Sequence, residues 1–127
     1  MKTLLMLEDN PGDVALLEEA FLELGEDVRL EHVADGTEAL SRLSGPGPLP
    51  ALVVVDLNLP GCGGREILGA LRADPALRGL PAVILSGSRW EREAMLAEGL
   101  PPSHYLVKPD TFAGYLEVAR ILAGFMG

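Results

Sequence analysis

Four apolar residues, Leu52 to Val55, run unbroken into a single carboxylate, Asp56, and Pro60 follows four positions later. A run this short, rich in valine and stopped by a breaker, predicts a strand buried on both faces, as in the middle of a parallel sheet. Its one charge then sits at the carboxyl end of the strand, the edge where open parallel sheets bind ligands. What the chain can do depends on which other groups reach Asp56.

Two more continuous apolar runs share this form. Thr3 to Leu7 ends in Glu8 and Asp9, and Ala82 to Ser86 ends in a hydroxyl. Val28 to Val33 instead alternates, the pattern of a half-exposed edge strand, and a short strand from His104 to Val107 ends at Lys108-Pro109. Helical spacing separates the strands. After Asn10, Pro11 and Asp13, which carry helix-start chemistry, Val14, Leu17, Phe21 and Leu24 share one face up to Gly25. Further helices are predicted over about residues 37–43, 65–73, 90–98 and 112–126. The loop from Ser44 to Pro50 is Gly/Pro-rich but too short to link domains. Five βα repeats predict an α/β, flavodoxin-like, doubly wound (βα)5 fold with a five-stranded parallel sheet ordered 2-1-3-4-5. Residues 1–127 are read as a single domain.

Charge narrows the function. Residues 1–60 hold twelve acids against three bases, whereas residues 61–127 hold seven of each, so the whole net charge of -9 lies in the first half. Nucleic-acid binding is disfavoured, because phosphate backbones reward clustered Lys and Arg. No apolar run is long enough to cross a membrane, and the first acid arrives too early for a secretory signal, so a cytoplasmic protein is expected. The lone Cys62 has no second thiol for a disulfide or a thiolate metal site.

In the 2-1-3-4-5 order Glu8, Asp9 and Asp56 meet at the switch point between strands one and three, with Ser86 and Lys108 ending the next strands along. Clustered carboxylates repel unless a cation or protons intervene, and an all-oxygen set suits Mg²⁺, or Mn²⁺ in its place. With Lys108, such an ion would neutralise an incoming phosphoryl group while Asp56, ionised at neutral pH, attacks it.

In these five strand ends, and over its whole length, the sequence resembles the receiver domain of the bacterial response-regulator, or CheY-like, family. The resemblance implies that Asp56 is the phosphoacceptor of a two-component phosphorelay, supplied by a sensor histidine kinase, a phosphotransfer protein or a small-molecule donor. It implies Mg²⁺ ligation by Asp9, Asp56 and the backbone carbonyl of Asn58, with Glu8 acting through water. Lys108 would contact the phosphoryl oxygens, and its bond to Pro109 would be cis. Ser86 would be the switch hydroxyl and Tyr105 the switch aromatic, moving inward after Ser86. The motif Glu8-Asp9-Asn10-Pro11-Gly12-Asp13 is similar to that of small stand-alone receivers, including those paired with phytochrome-type kinases. No output domain is expected, and catalysis would be limited to the protein's own phosphorylation and dephosphorylation.

Ser86 departs from the commoner threonine, Gly61-Cys62-Gly63-Gly64 lacks an often-seen acid, and Gly87 is expected to leave room for phosphoryl oxygens. The last helix carries a second apolar stripe at Val118, Ile121 and Phe125. This predicts a homodimer or kinase contact through the surface of the fourth helix, fifth strand and fifth helix. Three other readings compete. An aspartyl-phosphate phosphatase would need an acid where Asn58 stands, a flavin carrier would need a phosphate loop where Glu8 and Asp9 stand, and a pseudo-receiver would not need the five-residue set.

Overall fold

The computed structural model describes residues 1–57, 64–87, 89–99 and 104–127. Its elements alternate along the chain as β1 (Lys2–Leu7), α1 (Pro11–Glu23), β2 (Val28–Val33), α2 (Gly36–Ser44), β3 (Leu52–Val55), α3 (Gly64–Ala73), β4 (Ala82–Ser86), α4 (Arg89–Ala97), β5 (Tyr105–Val107) and α5 (Phe112–Phe125). The strands form one parallel sheet in the order β2-β1-β3-β4-β5, as the sequence predicts. Among the described residues no helix is long and apolar enough to cross a membrane.

The unbroken apolar runs are explained by helices on both sides of the sheet. Strand side chains alternate faces, so Leu4, Met6, Leu52, Val54, Val83 and Leu85 pack toward α1 and α5, with Leu17, Phe21, Val118 and Leu122. Leu5, Leu7, Val53, Val55, Ile84 and Tyr105 pack the other way, with Ala39, Leu43, Ile67, Leu71 and Met95 from α2, α3 and α4. The register pairs Leu7 with Val55, Val55 with Ile84, and Ile84 with Tyr105. A slip of one residue would exchange the two faces and point the strand-end charges into the wrong layer.

Local chemistry sets the helix boundaries. Asn10, Asp35 and Thr111 each cap a helix, their side-chain oxygens accepting from Gly12, Glu38 and Gly114 backbone N–H groups at 2.9, 2.9 and 3.1 Å. Such caps contribute about 1 kcal/mol each. Gly25 takes the left-handed conformation, φ 69°, that turns the chain out of α1. At the β2 edge Arg42 of α2 grips Glu31 with two hydrogen bonds, at 2.9 and 3.3 Å.

One expectation is corrected here and another is narrowed. No peptide bond among the described residues is cis, so Lys108-Pro109 is trans. Trans is the intrinsically favoured isomer of an X-Pro bond, and Lys108 reaches its partners without the cis form. The second stripe of α5 is partly covered by the chain itself. Val118 is buried in the α1/α5 layer, and Phe125 lies half-buried with its ring edge-on to His104 at 4.9 Å, which leaves Ile121 as the exposed member.

Gly114 shows how tightly α5 seats on the β5–α5 turn. A Cβ there would overlap the rigid ring of Pro109, whereas one on Gly69, exposed in the middle of α3, would meet nothing within 4 Å. Gly69→Ala should therefore stabilise by about 0.5–1 kcal/mol, and Gly114→Ala should destabilise by about 1–3 kcal/mol despite its better helix propensity. Urea midpoints moving in opposite directions would bear this out; upward shifts in both variants would contradict the close seating.

Candidate functional site: an acidic cluster around one lysine

The site is assembled by strand register. Asp56 N–H donates to the Leu7 carbonyl at 3.1 Å, which sets Asp56 beside Glu8, and Lys108 N–H donates to the Ser86 carbonyl at 2.8 Å. His32, on the neighbouring strand β2, donates from Nε2 to the Glu8 carbonyl, so it ties the edge strand to the site without entering it. Continuing the two-residue alternation, Glu8, Asp56 and Lys108 fall on the α1/α5 face, while Ser86 and Tyr105 fall on the α4 face.

On the first face the Lys108 Nζ donates to Glu8 Oε1 at 2.6 Å, Asp56 Oδ2 at 2.8 Å and Asp13 Oδ2 at 2.9 Å. An ammonium has three N–H donors, and all three are used. Glu8 is 1% and Asp56 6% exposed, so these ion pairs lie largely out of water. On the second face the fully buried Ser86 directs its Oγ at Asp56 Oδ1, at 3.5 Å. The two oxygens of the Asp56 carboxylate are thus divided between Lys108 and Ser86. Tyr105 is buried and hydrogen-bonded to Ser86. The aromatic expected to move inward already lies inward in this structure.

The electrostatics follow from crowding. Burial pushes the Glu8 carboxyl up to about 8, with the Asp56 carboxylate adding to the rise and Lys108 opposing it. Burial also works against charge on Lys108, but its bonds to Asp56, Glu8 and Asp13 outweigh it and hold the ammonium above the usual lysine range. At Asp13, likewise, burial is outweighed by Lys108, which keeps the carboxyl below its usual range.

Glu8, Asp9 and Asp56 each offer a carboxylate oxygen, all within 4.8 Å of one another, with Asp9 exposed. Glu8 Oε2 is buried with no hydrogen-bond partner among the described residues. An orphaned oxygen in an all-oxygen donor set fits a hard divalent cation or one of its waters. Asn58, expected to add a backbone carbonyl, lies outside the described residues, as does Cys62. A Cβ on Gly87 would meet nothing within 4 Å, so the space there does not depend on the glycine.

Two residues of this cluster escape sequence reasoning. Asp13 reads as a first-turn helix charge, yet it is the third partner of Lys108, and Tyr115 of α5, buried to 2% exposure, donates its hydroxyl to Asp13 Oδ1 at 3.3 Å. The available signal was the spacing of Asp9 and Asp13, four residues apart across the start of α1.

Sequence and structure comparisons agree with this geometry. A family model described as the response regulator receiver domain matches residues 4–118. The chain belongs to the response regulator receiver family. This receiver is 33% identical to the response regulator Rcp1 of Synechocystis sp., over 98% of its own length and 88% of the relative's. It is 34% identical to the probable methanogenesis regulatory protein FilR2 of Methanothrix harundinacea, over 86% and 73% of the two chains. Among solved structures, the phosphorylated cyanobacterial phytochrome response regulator RcpA superposes with a TM-score of 0.83 at 30% identity, covering 98% of this receiver and 93% of that chain. The Mn²⁺-bound form of Rcp1 superposes with a TM-score of 0.82 at 29% identity, covering 98% and 94%. The receiver is accordingly a signalling protein of the two-component type and not a classical enzyme.

The raised Glu8 carboxyl has a consequence for stability. Between about pH 4.5 and about 8 the raised Glu8 carboxyl holds a proton in the folded receiver that the unfolded chain gives up, so in chelator its stability falls as pH rises through that window. Denaturant titrations at several pH values should show this slope in the wild type and a flatter one in Glu8→Gln. Equal slopes in both proteins would refute it.

Proposed function

We propose that this receiver accepts a phosphoryl group on Asp56 from a sensor histidine kinase, in a Mg²⁺-dependent reaction in the cytoplasm, and signals through the α4-β5-α5 surface. The observation that carries the reading is the state of Asp56. It is an almost buried carboxylate at the tip of a central strand, with one oxygen on the Lys108 ammonium and the other facing the Ser86 hydroxyl.

One oxygen of the ionised carboxylate forms the new O–P bond as the donor's N–P bond, or the O–P bond of an acyl phosphate, breaks. The electron pair leaves on the donor's nitrogen or oxygen. No base is required, because Asp56 has no proton to lose when it attacks. Lys108 supplies N–H donors to the phosphoryl oxygens in place of carboxylate partners, and Ser86 lies on the opposite side of Asp56 to receive another. Glu8, Asp9 and Asp56 would hold Mg²⁺, or Mn²⁺ as in the Mn²⁺-bound form of Rcp1, which supplies positive charge against the phosphoryl oxygens.

The names of the relatives support a phytochrome-type kinase, or a phosphotransfer protein that it feeds, as partner. They include the phytochrome response regulator RcpA and the response regulator RPA3017 in red light signaling of R. palustris, which has a TM-score of 0.85 at 32% identity. Ser86 and Tyr105 lie on the face that α4 covers, so a phosphoryl group drawing Ser86 toward itself would disturb the buried Tyr105 and the surface around it. Self-pairing through that surface has only Ile121 of the proposed stripe to offer.

Incubation with Mg²⁺ and acetyl phosphate, read by intact mass, should add one phosphoryl group to the wild type and none to Asp56→Asn. Lys108→Ala should slow the gain by at least about tenfold, the loss of a charge-assisted bond in the transition state. An equal gain in Asp56→Asn would end the proposal.

A further inference from the structure

Lys108 has three N–H donors and gives one each to Glu8, Asp56 and Asp13. It can meet an incoming phosphoryl group only by releasing some of these. Two of the three acceptors have other work: Asp56 supplies the bridging oxygen of the acyl phosphate, and Glu8 belongs to the oxygen set that fits a cation. Asp13 is outside that set and is fixed from a second side, since Tyr115 donates its hydroxyl to Oδ1 while Lys108 holds Oδ2. It also stands in the first turn of α1, where the helix favours a negative charge. Tyr115 is buried in the layer where α1 packs along α5.

We propose that Asp13 is a positioning residue for Lys108 and that Tyr115 sets it, so that a Tyr115–Asp13–Lys108 chain keeps the ammonium aimed at Asp56 while its other two N–H groups turn to phosphoryl oxygens. This rests on the phosphoacceptor reading given above. It deepens that reading by linking the site to α5 through the α1/α5 face, opposite the face that holds Ser86 and Tyr105. Packing of α1 against α5 then governs how well Lys108 is aimed, and a protein that displaced α1 would slow phosphorylation without touching Asp56.

Two readouts test the chain of contacts. The receiver has only two lysines, Lys2 and Lys108, so ¹⁵N-lysine spectra of the cation-free protein, assigned with Lys2→Arg, report the Lys108 ammonium directly. Its proton exchange should quicken roughly tenfold in Asp13→Ala and by a smaller factor in Tyr115→Phe, which removes one oxygen and little volume. In the second readout, acetyl phosphate is varied at saturating Mg²⁺. The maximal phosphorylation rate should fall roughly tenfold in Asp13→Ala and about threefold in Tyr115→Phe, with the half-saturating donor concentration little changed. The double variant should be no slower than Asp13→Ala, since Tyr115 acts through Asp13. Asp13→Asn, which keeps the shape, should fall between wild type and Asp13→Ala and guards against a folding defect. Losses that multiply in the double variant, or wild-type exchange and rate in Tyr115→Phe, would overturn the positioning role alone. A wild type that takes no phosphoryl group, with the exchange pattern intact, would instead overturn the phosphoacceptor reading and with it any catalytic use of the chain.

Discussion

One ammonium group holds the carboxyl edge of this receiver together. Glu8, Asp13 and Asp56 converge from three elements on the Nζ of Lys108, and two of these acids are almost fully buried. Like charges about 4 Å apart repel by about 4 kcal/mol each at an effective dielectric constant of 20, so the cluster could not persist ionised without a compensating cation. Lys108 supplies one positive charge against three carboxyl groups. Burial and the Asp56 carboxylate push the Glu8 carboxyl up, while Lys108 holds the Asp13 carboxyl down, which is the mark of that imbalance. Three of the acids at this edge, Glu8, Asp9 and Asp56, could hold a divalent cation, which would relieve the same repulsion.

The sheet makes this possible through parity. Strands buried on both faces alternate between the α1/α5 layer and the α2/α3/α4 layer, and the charges that follow them inherit the alternation. Glu8, Asp56 and Lys108 emerge on one side, Ser86 and Tyr105 on the other, and Asp56 is the point where the two sides meet because its two oxygens are shared between them. The lysine with its acidic partners and the Ser86–Tyr105 pair thus lie on opposite sides of one sheet while touching a single carboxylate.

Much of this was legible in the chain. The three continuous apolar runs at Thr3, Leu52 and Ala82 located the central strands, the alternation from Val28 marked an edge, and the residues ending each strand placed Glu8, Asp9, Asp56, Ser86 and Lys108 at one edge. Periodicity of that kind is a property of backbone geometry and survives in any single sequence. What escaped was tertiary. Asp13 has the same sequence signature whether it faces water as a first-turn acid or turns inward to Lys108, and the difference is made by Tyr115, about a hundred residues away on another helix. The second stripe on α5 looked unpartnered because its covers, α1 and His104, reach it only through the fold. The close seating of Pro109 against Gly114 is likewise tertiary, and no local pattern announces it.

Asp56 is the proposed acceptor of the phosphoryl group, and trapping the acyl phosphate tests that most directly. Borohydride reduction of the phosphorylated receiver, followed by peptide sequencing by mass, converts a phosphorylated aspartate to homoserine and so marks its position. Homoserine is expected at position 56, with unmodified side chains at Glu8, Asp9 and Asp13. A mark at any of those three acids, or a phosphoryl group that resists reduction because it sits on a hydroxyl or a histidine, would contradict it.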